Sequence, residues 1–303
     1  RRKEPINLPV KFPLLLAQGA EGIAVGLSTK ILPHNFVELI DASIKCLKGR
    51  RFDLYPDFPT EGVIDVTAYN DGLRGGKIKV RAKINQVNKN TLMISQIPYT
   101  TTSTSLIESI LKANDKGKIK IKKIEDNTSS DVEILVHLPN GVSPDKTIDG
   151  LFAFTNCEVS ISPLSCIIEN NKPVFIGVSE ILKKSTENTK DLLKDELEVK
   201  LKELNLLWHY STLEKIFIEN KVYRLIEEQD TWEGVLNSIK DGLKPHLNLL
   251  KNEVSEDDIV KLTEIKIKRI SKFDIDKADK KIKQIEEDIS LVKENLENLN
   301  DFA

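Results

Sequence analysis

The sequence predicts an α+β, multi-domain chain. A small, mostly antiparallel sheet with helices comes first, and an all-α part follows, built as an antiparallel coiled-coil arm with a helical head. Three observations predict this. Glycine and proline punctuate turns and weaken helix interiors, and 12 of the 14 glycines and 11 of the 12 prolines lie before residue 180, leaving only Gly234, Gly242 and Pro245 for the rest. Period-two alternation marks the first part. A heptad seam marks the second.

In the first part, Asn35 is placed to cap a helix that carries Phe36, Leu39, Ile40 and Ile44. After the turn signal Arg74-Gly75-Gly76, residues Lys77 to Ile84 alternate cation and apolar, as a half-buried strand does. Thr91–Ser95 is a partner strand, ending at Ile97-Pro98-Tyr99. Ser105 and Glu108 stand at capping-box spacing for a helix that buries Leu106, Ile107, Ile110 and Leu111. Lys118–Lys122 alternates again, and Asp131–Leu138 is a further strand.

In the second part, apolar residues run Ile275, Ala278, Ile282, Ile285, Ile289, Val292, Leu296 and Leu299, in steps of three and four. A second seam runs Leu193, Leu197, Leu201, Leu204, then Leu207 or Trp208. Helices at about 181–209 and 274–303 would pair antiparallel, with about 210–273 as the head. At 1.5 Å per residue the arm would reach ~40 Å. An ordinary helical bundle fits the same pattern.

Lys plus Arg total 45 and Asp plus Glu 47, a formal net charge of −2. That excludes a strongly basic nucleic-acid-coating protein but not a local basic face. Up to residue 180 there are 23 basic against 20 acidic residues, and beyond it 22 against 27. A polyanion would therefore meet the first part, and the acidic arm would repel one. An apolar fraction of 40% is enough for a core and argues against wholesale disorder. No apolar run approaches the ~18 residues needed to cross a bilayer. The opening Arg1 to Pro5 has neither an initiator Met nor a signal-type stretch, so a non-secreted piece of a longer protein is expected. Cys46, Cys157 and Cys166 make a poor disulfide framework and are expected as reduced thiols; the four histidines lie far apart, and no metal site is expected.

Two cationic rows are candidate functional features: Lys77, Lys79, Arg81, Lys83, and Lys116, Lys118, Lys120, Lys122. At ~6.8 Å between alternate residues of a strand they suit phosphates along one DNA strand. They suit equally a solvated face whose lysines discourage edge pairing. No aromatics interleave, which argues against a single-strand stacking platform. The stretch Gln18 to Gly26 is glycine-rich but matches neither GxGxxG nor a P-loop. Within it Ile23 either packs into the protein or is offered as an apolar wedge for a DNA base step. His34 either contacts phosphate or braces a turn.

These residues carry a resemblance. Pro9 to Leu16, Gly19 to Gly26, Ile31 to Asn35, Pro56 to Thr60, Arg74 to Lys77, Ile97 to Tyr99, and Leu262 to Lys266 through Arg269-Ile270 are similar, in order, to the A subunit of bacterial type IIA DNA topoisomerases. Ala20-Glu21 stand where gyrases typically carry two serines, which is nearer to DNA topoisomerase IV. The resemblance implies that residues 1–180 form a tower domain and 181–303 an arm with an exit gate. It implies a homodimer through that gate, with Trp232, Leu236 and Ile239 as candidate seal residues, although the same three could form the head's own core. It also implies a B subunit that binds ATP and Mg2+, an A2B2 holoenzyme acting on double-stranded DNA, and a cytoplasmic, chromosome-associated location. Ile23 matches the isoleucine that intercalates in the bent duplex. Gln18, Lys30, His34, Arg74, Lys77, Lys79 and Arg81 are the further candidate DNA contacts. The family's nucleophilic tyrosine follows an arginine in a winged-helix domain, and none of Tyr55, Tyr69, Tyr99, Tyr210 and Tyr223 has that context. The nucleophile is expected upstream of Arg1, and this piece alone is expected to be inactive. The rival readings are a coiled-coil scaffold without enzymatic function and a free-standing DNA-bending protein.

Overall fold

The computed structural model describes residues 9–303, and the basic opening Arg1 to Pro5 lies outside the described residues. The chain divides into two compact units, one ending at Thr189 and one beginning at Lys190.

The first unit opens with α1 (Leu14–Gln18), the hairpin strands β1 (Ala20–Ala24) and β2 (Leu27–Ile31), and α2 (Phe36–Leu47). Asn35 caps α2 as expected, its side-chain oxygen accepting from the N–H groups of Val37 and Glu38. The buried stripe is Leu39 and Ala42, whereas Phe36 and Ile44 are exposed. There follow β3 (Val63–Asp65), β4 (Ile78–Arg81), β5 (Lys83–Asn88) and β6 (Thr91–Gln96). The alternation from Lys77 to Ile84 is real, with Ile78, Val80 and Ala82 buried and Lys79 and Arg81 exposed. It serves two sheets, however, because the chain crosses at Ala82 from the three-stranded sheet that holds β3 and β4 to the four-stranded sheet that holds β5 and β6.

Helix α3 (Ser103–Asp115) starts earlier than expected. Thr102, not Ser105, is its N-cap, and Ser105 is the reciprocal member of the box. Leu106 and Ile110 are buried and Leu111 is exposed. The second lysine row is not a strand. Gly117 turns the chain after α3, and Asn114 holds the N–H of Ile121 at 2.9 Å, so pairing begins only with the Lys122 N–H, which donates to the His137 carbonyl at 2.8 Å and leads into β7 (Lys123–Asp126). The unit continues with β8 (Ile134–His137), α4 (Pro144–Phe154), β9 (Glu158–Ile161), β10 (Cys166–Glu169) and β11 (Lys172–Phe175). All strand pairs are antiparallel, in four small sheets rather than one. One core packs Leu16, Leu32, Leu39, Ile78 and Val80 with Val178 and Leu182. Another packs Leu92, Ile94 and Val136 of the larger sheet against Leu106, Ile110 and Leu151.

The helix α5 (Val178–Glu219) begins in the first unit and continues into the second. Asp71 caps its start, accepting from the Ser179 N–H at 3.1 Å and the Ser179 hydroxyl at 2.9 Å. The second unit adds α6 (Trp232–Leu243), α7 (Glu256–Thr263), α8 (Ile267–Ser271), α9 (Ile275–Glu297) and α10 (Leu299–Phe302). Helices α5 and α9 run antiparallel: Lys215 meets Asp279, and Trp208, one end of the seam, meets Glu286 at 2.9 Å. Trp208, Ile285 and Ile289 form their shared core, flanked by Leu201, Leu204 and Ile282. The seam closes on Trp208, and Leu207 is exposed. Leu213, Phe217, Ile239, Leu243, Ile259 and Leu262 make a separate core for the intervening helices.

Candidate nucleic-acid interface

The glycine-rich stretch folds as the β1–β2 hairpin, with Ala24 opposite Leu27 and Ile23 opposite Ser28. Val25 and Gly26 form its two-residue tip, and Gly26 supplies the positive φ of 74° that the turn needs. Ile23 is 91% exposed and Val25 fully so. Ile23 is therefore not packed into the protein. An exposed aliphatic pair at a hairpin tip is a solvation cost that needs another reason.

The root of the hairpin is held firmly. The Thr29 hydroxyl donates to the carbonyl of Leu164 or Cys166 (3.2 and 2.9 Å) and accepts the Cys166 N–H at 3.2 Å. Lys30 and Leu164 exchange backbone bonds at 2.8 and 3.0 Å. The next residue, Ser165, donates its N–H to Gly72 at 2.9 Å, which ties the loop carrying Arg74 to the same root. In that loop a side chain on Gly76 would meet the Tyr69 carbonyl oxygen at 2.2 Å, so only glycine fits. Hydrogen-bonded backbone thus links Lys30 to the loop that presents Arg74 and Lys77, both exposed.

The remaining candidates fall differently. Gln18 is exposed, and Lys30 is half-buried and pairs with Glu21 at 3.0 Å. Lys79 and Arg81 share one carboxylate, Glu158, at 3.7 and 2.6 Å, and Arg81 also lies 4.9 Å from the Phe152 ring centre. His34 as a phosphate contact is corrected. It is 4% exposed, its Nδ1 lies 3.2 Å from the Leu16 carbonyl, and its Nε2 lies 3.4 Å from the Tyr69 hydroxyl. Burial holds the imidazole pKa below its usual value despite hydrogen bonds to the Leu16 and Leu32 backbone, so the ring braces the turn and is neutral. Ile239 as a seal residue is also corrected. It is 0% exposed within the core of the second unit, where Leu236 packs beside it half-buried; Trp232 is 57% exposed.

Neither Tyr69 nor Tyr210 is prepared as a nucleophile by a lowered pKa. Burial pushes Tyr69 far up, and burial also raises Tyr210. All three cysteines are free. Among the described residues, no group of three or more His, Cys, Asp or Glu side chains could hold a metal ion. None of the described helices is long and apolar enough to cross a membrane.

Some features of the site are not legible in the sequence: the exposure of Val25, the Thr29 anchor and the Asp71 cap. The first depends on the phase of a turn, and the other two on contacts more than 100 positions away. The cation-rich run from Lys266 to Lys283 is a local signal that the two alternating rows at 77–83 and 116–122 overshadow.

The first unit thus carries a hairpin with an exposed aliphatic tip, rooted beside a cationic loop, and the second an antiparallel helical pair with its own core. The chain belongs to the A-subunit family of DNA gyrase and topoisomerase IV, whose model matches residues 1–303. It is 39% identical over its whole length to the A subunit of DNA topoisomerase 4 from Borreliella burgdorferi, covering 48% of that protein. It is 26% identical to the A subunit of DNA gyrase from Chlamydia muridarum, over 95% of this chain and 36% of the relative. With the A subunit of DNA gyrase from Helicobacter pylori the figures are 28%, 79% and 31%. The chain thus spans about half or less of the relatives it matches.

Proposed function

We propose that this chain is part of the DNA breakage-reunion subunit of an ATP-dependent type II DNA topoisomerase, acting in the cytoplasm on double-stranded DNA. In this reading the first unit is the tower that supports one flank of a bent duplex. Ile23 enters a base step, and Gln18, Lys30, Arg74 and Lys77 contact the backbone near it; Lys79 and Arg81, held by Glu158, form a partly neutralised margin. The second unit is the arm and exit gate through which two copies dimerise, with Trp232 at the seal. A B subunit would bind ATP and Mg2+ and complete an A2B2 holoenzyme that relaxes or decatenates DNA.

The observation that carries this reading is the exposed Ile23 on a hairpin whose root is anchored. Unstacking a base step costs a few kcal/mol, offset by the extra backbone contact that a bent duplex allows. A wedge borne on a loose loop would lose that gain to disorder, whereas the Thr29 bridge holds it in place. Ile23→Ala in the full subunit should leave folding intact and reduce both DNA bending, read by end-to-end energy transfer on a labelled duplex, and cleavage. Unchanged bending would remove Ile23 from the mechanism.

A further inference from the structure

The second unit holds a cleft that the hairpin reading does not use. It has a volume of about 480 Å3 and is lined by six cations: Lys266, Lys268, Arg269, Lys272, Lys277 and Lys281. Two carboxylates, Glu214 and Asp274, also line it, and both are already engaged. Glu214 is nearly buried and grips the Arg269 guanidinium at two points, the Nη2–Oε2 contact measuring 2.9 Å. Asp274 caps α9 through the Lys277 N–H at 3.1 Å and pairs with the Lys277 ammonium at 3.4 Å. Nearby Asp279 is taken by Lys215. Among the described residues, Lys266, Lys268, Lys272 and Lys281 make no ion pair. Four uncompensated like charges around one concavity focus a positive potential into it.

The surrounding charge is polarised in the same sense. Residues 266–283 carry eight Lys or Arg against three Asp, whereas 284–303 carry one Lys against six Asp or Glu. The expectation of an acidic arm therefore holds only for the later part of α9.

We propose that this cleft binds the phosphate backbone of a DNA duplex, at a second site distinct from the hairpin. The proposal rests on the reading that the subunit handles duplex DNA. The form of the cleft favours a backbone over a small anion. The only guanidinium fork is committed to Glu214, and the unpaired cations are exposed lysines, which act as mobile point charges and impose no fixed geometry. Such contacts are independent of sequence and weaken steeply with salt. They suit a duplex that must be held briefly and released.

The test is acetylation footprinting of the full subunit, paired with its B subunit, with and without a 20-base-pair duplex. Each lysine is read by mass spectrometry. Lys268, Lys272 and Lys281 should be protected by the duplex and exposed again at high salt. The triple variant Lys268→Gln, Lys272→Gln, Lys281→Gln should also lower the slope of log affinity against log salt by about 3. Protection of Lys77 without protection of the three cleft lysines, or an unchanged slope, would overturn the cleft and leave the proposed function standing. Protection of neither group would overturn both. Protection by sodium tripolyphosphate but not by the duplex would assign the cleft to a small anion, against the proposal.

Discussion

Asp258 shows how one side chain serves both a helix end and a buried partner. It accepts the Ser255 N–H at 3.0 Å and the Ser255 hydroxyl at 2.7 Å, which closes the capping box of α7, and it lies 3.3 Å from Nε2 of buried His209. Burial pushes its pKa up, but the Ser255 bonds and the His209 ring outweigh this, and the net shift is downward. A lowered carboxylate contributes its stability fully above the unfolded value, ~3.9 for Asp, and loses it as pH falls through the folded value. Ser255→Ala should therefore cost ~1 kcal/mol at neutral pH and move the acid unfolding midpoint upward, as followed by circular dichroism. An acid midpoint equal to wild type would remove the capping account. At this scale the sequence is legible where a cap acts locally. Asn35 announces α2 because its side chain needs only the next two or three amides. Thr102 is hidden because Ser105 and Glu108 offer the same spacing three residues later, and only the turn from Pro98 to Thr101 decides between them. His34 is ambiguous because burial cannot be read from a Pro-His-Asn triplet.

Elements whose partner is another long element are the most legible. The α9 seam sorts itself by depth. Ile285 and Ile289 are buried in the core shared with α5 and Val292 is buried as well, while Ile275, near the N-terminal end, is exposed. Period alone gives the face of a helix, and the partner's length gives how much of that face is covered. The Lys116–Lys122 row misleads for the complementary reason. Alternation describes any extended chain, and here the pairing partner β8 is reached only at the end of the row, where the Lys122 N–H donates to the His137 carbonyl at 2.8 Å. The α5–α9 account makes a sharp contrast between neighbours on one helix. Ile289→Ala removes a nearly buried side chain from a small core and should cost ~2–5 kcal/mol. Leu291→Ala, 56% exposed on the same helix, should stay within about 0.5 kcal/mol. Denaturant titration of the two variants measures both. Equal losses would mean that the seam is not what holds the helices together.

For the whole molecule, the glycine and proline census separates a sheet-bearing part from a helical one because backbone chemistry differs between them, and this needs no knowledge of contacts. What a census cannot supply is which apolar residues a helical unit spends on its own core and which it leaves for a partner. The structure makes that division between two residues of one helix. Ile239 lies wholly inside, among Leu213, Phe217 and Leu243, whereas Trp232 stands exposed at the start of the same helix α6. Exposed Leu225, Leu247 and Leu249 lie on the 3-10 turns Val222–Ile226 and Lys244–Leu249 that pack against α6. If two copies join through this unit, as proposed, the two residues must fail in different ways. Trp232→Ala removes an exposed aromatic of the kind that dominates interfaces. It should weaken self-association by at least about 2 kcal/mol, roughly 30-fold in Kd, with the melting temperature of the monomer unchanged. Ile239→Ala leaves a cavity in the core and should cost ~2–5 kcal/mol of folding stability, changing association only as far as the unit unfolds. Sedimentation velocity across a concentration series, paired with thermal melts, separates the two effects. A Trp232→Ala protein that dimerises like wild type would place the seal elsewhere on the molecule.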